Sequence, residues 1–265
     1  MIGSKDLQLI SCITLDNTTY MLYNLPMKKD KILEHQNTIL RVLADKINDF
    51  YLVGGTALSL FYFQHRLSFD LDFFSPQLSY KRVKEIISYL ATNLKTQIKL
   101  TAQILEKDKT KMFVYHIYFT NANPFKIDFV EDIFNLIKVP IVIEGIKVLS
   151  LEDIYLRKIY ALVGTIPSID DIGKKKFIGG RATAKDFYDL FFLSNTFMSL
   201  SKFVVTYRDS ALKEALINWF RTYDRMQMID GVLSLQTNKN VDCKVIEAHF
   251  HKEIEQIIKS ELEEL

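Results

Sequence analysis

Asp70 and Asp72 stand one residue apart in Phe69-Asp-Leu-Asp-Phe-Phe74, alternating with apolar side chains. On a β-strand that alternation puts both carboxylates on one face and the phenylalanines and leucine on the other. Their Cα atoms then lie roughly 6.5 Å apart at about 3.3 Å rise per residue. Carboxylates at that spacing can converge on a pair of divalent cations about 3.5–4 Å apart, the arrangement used for phosphoryl and nucleotidyl transfer. Gly54, Gly55 and Thr56 precede them in Tyr51-Leu-Val-Gly-Gly-Thr-Ala-Leu. A glycine turn that opens a helix presents backbone N–H groups to an anion, and a missing Cβ lets a phosphate approach closely. Thr56 is placed to cap that helix or to hydrogen-bond the ligand. The combination suggests chemistry on a nucleoside triphosphate.

A third acid is expected beside the first two. Asp128 in Phe125-Lys-Ile-Asp-Phe-Val130 alternates with Ile127 and Phe129. If that strand pairs with 69–74, Asp128 joins the acidic face and supplies a ligand and a base for an attacking hydroxyl. The bland alternative for all three is a solvated polar strand face. Arg66 and Ser68 lie just before the acidic strand. Arg66 reads either as a phosphate fork or as a surface ion pair with Asp70 or Asp72. His65 reads as a helix-end histidine rather than a metal ligand, and Glu131 and Asp132 read as solvated.

Lys158 is notable without any partner in view. At 100° per residue, Leu151, Ile154, Tyr155, Ala161 and Leu162 make one helical stripe with Lys158 at its centre. A lysine there must snorkel to water or meet an anion, because an unpaired buried charge costs several kcal/mol. Asp186 fits a capping box started by Thr183, and Asp189 shares its helix face beside an apolar stripe, which suggests Lys158 as a partner. Lys174-Lys-Lys176, flanked by Gly173, Gly179, Gly180 and Arg181, reads either as a basic grip for a triphosphate or RNA backbone or as a solvated loop. Trp219, Phe220 and Tyr223 at helical spacing read as core.

The chain of 265 residues is 48% hydrophobic and 25% charged, with a formal net charge of +2. That is an ordinary globular balance, and the charge alone gives no case for nucleic acid. Cys12 and Cys243 are the only cysteines, so no disulfide framework is expected and a reducing cytoplasm fits. The first residues lack the pattern of a signal peptide. No apolar run approaches the ~20 residues of a membrane span.

The elements that must hold these residues follow from periodicity. Residues 7–25 look β-like or irregular, and 29–50 follow a helical period through Ile32, Ile39, Leu43, Ile47 and Phe50. Strands are expected at 51–53, 69–74, 97–105, 111–120 and 125–130, with another within 140–148. A short helix is expected at 56–65 and an amphipathic helix at 80–94. From Ser150 onward helical periods dominate, at 151–163, 184–195, 211–223 and 244–262, with the glycine-flanked basic loop between the first two. The expected fold is α/β (α+β), with an N-terminal domain over 1–149 and a helical domain over 150–265.

Gly54-Gly-Thr-Ala-Leu-Ser-Leu60 and His65-Arg-Leu-Ser-Phe-Asp-Leu-Asp-Phe-Phe74 together resemble the AbiEii-type nucleotidyltransferase toxins of bacterial type IV toxin–antitoxin systems. These are polymerase-beta-like nucleotidyltransferases. Lys158 in Leu156-Arg-Lys-Ile-Tyr-Ala-Leu162 and Lys185-Asp186 in Arg181-Ala-Thr-Ala-Lys-Asp-Phe-Tyr-Asp-Leu190 match the later motifs in order. The likeness runs from about residue 35 to 195. It implies a small mixed sheet with a C-terminal helical domain. It implies Mg²⁺ (or Mn²⁺) and an NTP on Asp70 and Asp72, and Lys158 and Asp186 as a further catalytic pair. It also implies a tRNA acceptor end in some members, a block on translation, and a co-expressed antitoxin. Rivals are transfer to a small molecule, as in antibiotic-modifying relatives, and a non-catalytic nucleotide- or partner-binding module on the same fold.

Overall fold

A computed structural model describes residues 29–265, except 108, 120–122, 170–174, 182, 208–209, 240 and 264–265. The β-like reading of 7–25, and Cys12 with it, lies outside the described residues.

The first half is a seven-stranded mixed sheet in the order β3-β4-β5-β2-β1-β7-β6. Its strands are β1 (Tyr51–Val53), β2 (Asp70–Ser75), β3 (Gln97–Ile104), β4 (Met112–Tyr118), β5 (Phe125–Glu131), β6 (Ile141–Ile143) and β7 (Ile146–Val148). The β2–β5 and β1–β7 pairs are parallel and the other neighbours antiparallel. Alternation in the central strands gives the sheet two unlike faces. Leu71, Phe73, Ile127, Phe129, Phe113 and Ile117 point one way and are fully buried. Helices α1 (Lys29–Leu43) and α3 (Tyr80–Leu94) cover that face, with His35 stacked on Phe119 and Tyr80 against Phe113. The other face carries Asp70, Asp72 and Asp128.

The expected helix over 29–50 stops at Leu43. Asp45 takes a left-handed backbone (φ 60), and its N–H donates to the carbonyl of Gly145 in the β6–β7 turn. Ile47 and Phe50 stay in the core as turn residues. The helix expected over 56–65 begins two residues earlier as α2 (Gly54–Ala57) and widens into a π-helical turn, Leu58–Tyr62. Helix α3 falls on its expected bounds.

The second half holds α4 (Leu151–Val163), β8 (Ile166–Ile169), β9 (Lys175–Ile178), α5 (Ala184–Thr196), α6 (Leu200–Thr206), α7 (Ser210–Thr222), α8 (Arg225–Leu233) and α9 (Cys243–Glu263). Helix α5 is buried from Asp186 through Ser194 and is packed by α4, α8 and α9. Residues 164–180 are not a plain loop: β8 and β9 pair as an antiparallel ribbon, so the second half is not wholly helical. Helices α6 and α8 escaped the periodicity reading because each is short. Phe187, Trp219, Tyr223 and Phe250 form one aromatic cluster, as expected of core. Among the described residues no helix is long and apolar enough to cross a membrane.

Phe129 stands at the centre of the sheet's apolar face, touching Phe50, Phe73 and Tyr115. Phe129→Ala therefore leaves a cavity that several rings cannot fill. Urea unfolding is expected to show a loss of about 3–5 kcal/mol.

Candidate active site

The acids meet as strand pairing requires. Asp72 and Asp128 are direct partners across the parallel β2–β5 pair, and Asp70 sits opposite Lys126. All three line one cavity. Lys126, two residues before Asp128 and on the same face, was not singled out from sequence. Its Nζ lies 2.6 Å from Asp128 Oδ2 and 3.6 Å from Asp70 Oδ2. Burial, then the charges of Asp70 and Asp128, push the Asp72 carboxyl up to about 7. Burial likewise raises Asp128, against the pull of Lys126. Asp128 Oδ1 is buried and has no partner.

Three oxygen donors on one face, one of them an orphaned buried oxygen, suit a hard divalent cation. Among the described residues no three such groups are already closed around a common point. The ammonium of Lys126 is the positive charge that bridges Asp70 and Asp128.

The turn before β2 shapes this acid face from within. Gly54 has φ +71, and a Cβ there would lie 2.9 Å from Asp72 Oδ2. Gly55 is required by its neighbour, since a Cβ would overlap the Arg66 guanidinium. Thr56 departs from both expected roles: it is fully buried, and its hydroxyl donates to the Asp70 carbonyl at 2.6 Å. Ser68 Oγ donates to Asp70 Oδ1 at 3.1 Å. These two hydroxyls hold Asp70 in place.

Arg66 is neither a phosphate fork nor a surface pair with Asp70 or Asp72. Its Nε and Nη2 donate to the two oxygens of Asp189 at 2.6 and 2.8 Å, and its Nη1 to the Leu67 carbonyl. Asp189 was legible only as an acid beside an apolar stripe. It also pairs with His65 Nε2 at 2.7 Å, so His65 is a buried partner and not a helix-end residue in water. Asp132, expected to be solvated, is buried and receives the Tyr51 hydroxyl and Arg157.

The facing wall comes from α4 and α5. Ser150 caps α4 by accepting the Asp153 N–H. Two turns on, Lys158 Nζ sits 2.7 Å from Asp186 Oδ1 and 2.6 Å from Asp189 Oδ2. Asp186 also receives Arg181 Nε and the Thr183 hydroxyl, each at 2.7 Å. Thr183 does stand at the N-cap of α5, but its hydroxyl donates to the carboxylate, so the expected reciprocal box is absent. Burial would raise Asp186; Lys158 and Arg181 outweigh it and hold the carboxyl at about 2. Burial opposes ionisation of Asp189 too, yet Lys158 and Arg66 keep it well below the usual carboxylate range. Lys185 is exposed on the rim beside Asp186.

The space between the walls has two lobes. A polar lobe of about 520 Å³ is lined by the acids, Ser68, Lys126 and Lys185. An apolar lobe of about 320 Å³ lies beyond them, against α4. Asp72, Asp128, Lys158 and Arg181 line both and form the seam.

The Asp72 carboxyl has a stability consequence. Its folded value of about 7 exceeds the ~3.9 of an unfolded aspartate, so it favours the folded chain only at low pH. That contribution is complete below about pH 4 and is lost as pH rises through 7. With EDTA present, Asp72→Asn is expected to stabilise the chain by about 1–3 kcal/mol at pH 8 and by little at pH 4, measured by urea unfolding.

No curated protein matches the sequence. Several solved structures share the fold, among them two from Helicobacter pylori. JHP933 from Helicobacter pylori has a TM-score of 0.53 at 18% identity, over 88% of this chain and 94% of that one. A protein from H. pylori described as a candidate nucleotidyltransferase gives the same score and identity, over 88% and 98%. The family model for the nucleotidyl transferase AbiEii toxin of type IV toxin–antitoxin systems matches residues 38–265. With the acid strand, the lysine helix and the buried Asp186 in one cleft, the chain belongs to the AbiEii nucleotidyltransferase toxin family.

Proposed function

We propose that this nucleotidyltransferase moves a nucleotide from an NTP to a hydroxyl of tRNA, with divalent-metal dependence, and that an antitoxin restrains it. The observation that carries the reading is the register of β2 against β5, which sets Asp72 beside Asp128 with Asp70 on the same face. A non-catalytic scaffold has no need of three acids forced together against their own repulsion. Facing them are Lys158, Arg181 and Lys185, cations suited to a polyphosphate.

Asp70, Asp72 and Asp128 would hold Mg²⁺ or Mn²⁺, with Lys126 giving up its bridge. Such an ion supplies screening of phosphate charge and polarisation of the α-phosphate. Asp128, its proton affinity raised by burial, is suited to accept the proton of the attacking hydroxyl. Lys158 and Arg181 are anchored on Asp186, so their charges are fixed before substrate arrives and offset charge developing on the phosphates. Lys185 offers a freely hydrated charge at the entrance. Gly54 keeps the backbone low enough for the donor to reach Asp72.

The test is incubation with each α-labelled NTP, Mg²⁺ and total tRNA. Label is expected on tRNA with wild type. Asp72→Ala is expected to lower the rate by at least about 100-fold while the circular dichroism spectrum is unchanged. Label appearing only on a small acceptor would overturn the tRNA assignment. Full activity of the Asp72→Ala protein would overturn the site.

A further inference from the structure

The strand alternation that gathers the acids continues past them. Phe74 follows Asp72 by two residues and Val130 follows Asp128 by two, so both project from the same sheet face. Phe74, Val130 and Met112 are register partners across β2, β5 and β4. They make an apolar row one step along the strands from Asp72 and Asp128. The three are only half-buried, unlike the residues on the sheet's other face. The apolar lobe lined by this row is also lined by the ring pair Phe134 and Tyr160, stacked with centroids 4.9 Å apart. The Arg157 guanidinium lies 5.4 Å from the Phe134 ring centre. Arg157 is 9% exposed, and its outer nitrogens are engaged by Asp132 and Asp153. Its Nε–H is buried without a partner and belongs to a residue lining the same lobe.

We infer that this apolar lobe is the seat of the donor NTP's nucleobase, held by the Phe74–Val130–Met112 floor and the Phe134 and Tyr160 rings. The inference rests on the nucleotidyl-transfer reading. A ligand that fills both lobes must be polyanionic at the seam and polar end, and flat and largely apolar at the other. A nucleoside triphosphate has that shape and polarity. With the α-phosphate at the Asp72–Asp128 seam, the triphosphate and acceptor take the lobe bearing Lys158, Arg181 and Lys185. The base then has the aromatic lobe, where stacking tolerates any base.

Equilibrium titration of the full chain with each of the four NTPs and with inorganic tripolyphosphate, all with Mg²⁺, tests this. Phe134→Ala and, separately, Phe74→Ala are expected to weaken NTP binding about tenfold and tripolyphosphate binding less than about twofold. Phe134→Tyr, which keeps the ring face, is expected to bind NTP within about twofold of wild type. A melting curve for each variant establishes that it is folded. Wild-type NTP affinity in both folded alanine variants would overturn the seat and leave the transferase reading standing. Equal weakening of NTP and tripolyphosphate would also overturn it, since the rings would then act on the phosphate site. A wild-type protein that binds tripolyphosphate but no NTP would sink the transferase reading as well.

Discussion

A buried carboxylate, Asp189, ties the two halves of this site together. It has no exposed surface, and Arg66 grips both its oxygens while His65 and Lys158 reach one each. Taking a carboxylate out of water costs several kcal/mol unless its partners are well placed. Here they arrive from the segment that leads into β2 and from α4, converging on α5. The backbone of the same segment is fixed to the C-terminal half: Leu67 N–H donates to the Gln236 carbonyl and Asn238 N–H to that of His65. The approach of the acidic strand is thereby set against the lysine-bearing helix. Gly55 belongs to this arrangement, because only a missing Cβ leaves room for the Arg66 fork.

Two charge clusters lie side by side with opposite energetics. Around Asp186 and Asp189, the cations Lys158, Arg66 and Arg181 satisfy the acids and hold them ionised. Around Asp70, Asp72 and Asp128, Lys126 is the one cation in direct ion-pair contact among the described residues, and burial with mutual repulsion raises Asp72. The first cluster fixes Lys158 and Arg181 in place. The second leaves its acids incompletely paired, which is the condition a cation-dependent site needs and a stable fold does not. Sites of this kind are commonly held in place by stability supplied elsewhere. Lys158 joins the two, since its anchors are the acids of the first cluster and it lines the cleft of the second.

Much of the site was legible because strand alternation is a strict rule. From Phe69 to Phe74 and from Phe125 to Val130 it fixed which acids share a face, and the β2–β5 register then made them neighbours. The stripe on 151–162 correctly marked Lys158 as a lysine in want of an anion. Failures came where the partner was distant in sequence. Arg66 had plausible acids at 70 and 72, yet its partner lies 123 residues on. Thr56 and Asp132 are polar residues in polar-looking contexts, and only the tertiary packing shows that each is buried with a dedicated partner. Lys126 was readable in principle, being two residues from Asp128 on the same strand. The ribbon β8–β9 and the short helices α6 and α8 lack enough residues to display a period.

The proposed transfer requires a metal held by the three in-register acids. Anomalous diffraction at the manganese edge, from crystals soaked with Mn²⁺ and a non-hydrolysable NTP, would locate that metal. The expected result is a manganese peak in contact with Asp72 and Asp128, with Lys126 withdrawn from Asp128. A nucleotide seen in the cleft with no metal on these acids, and Lys126 still bridging them, would contradict it.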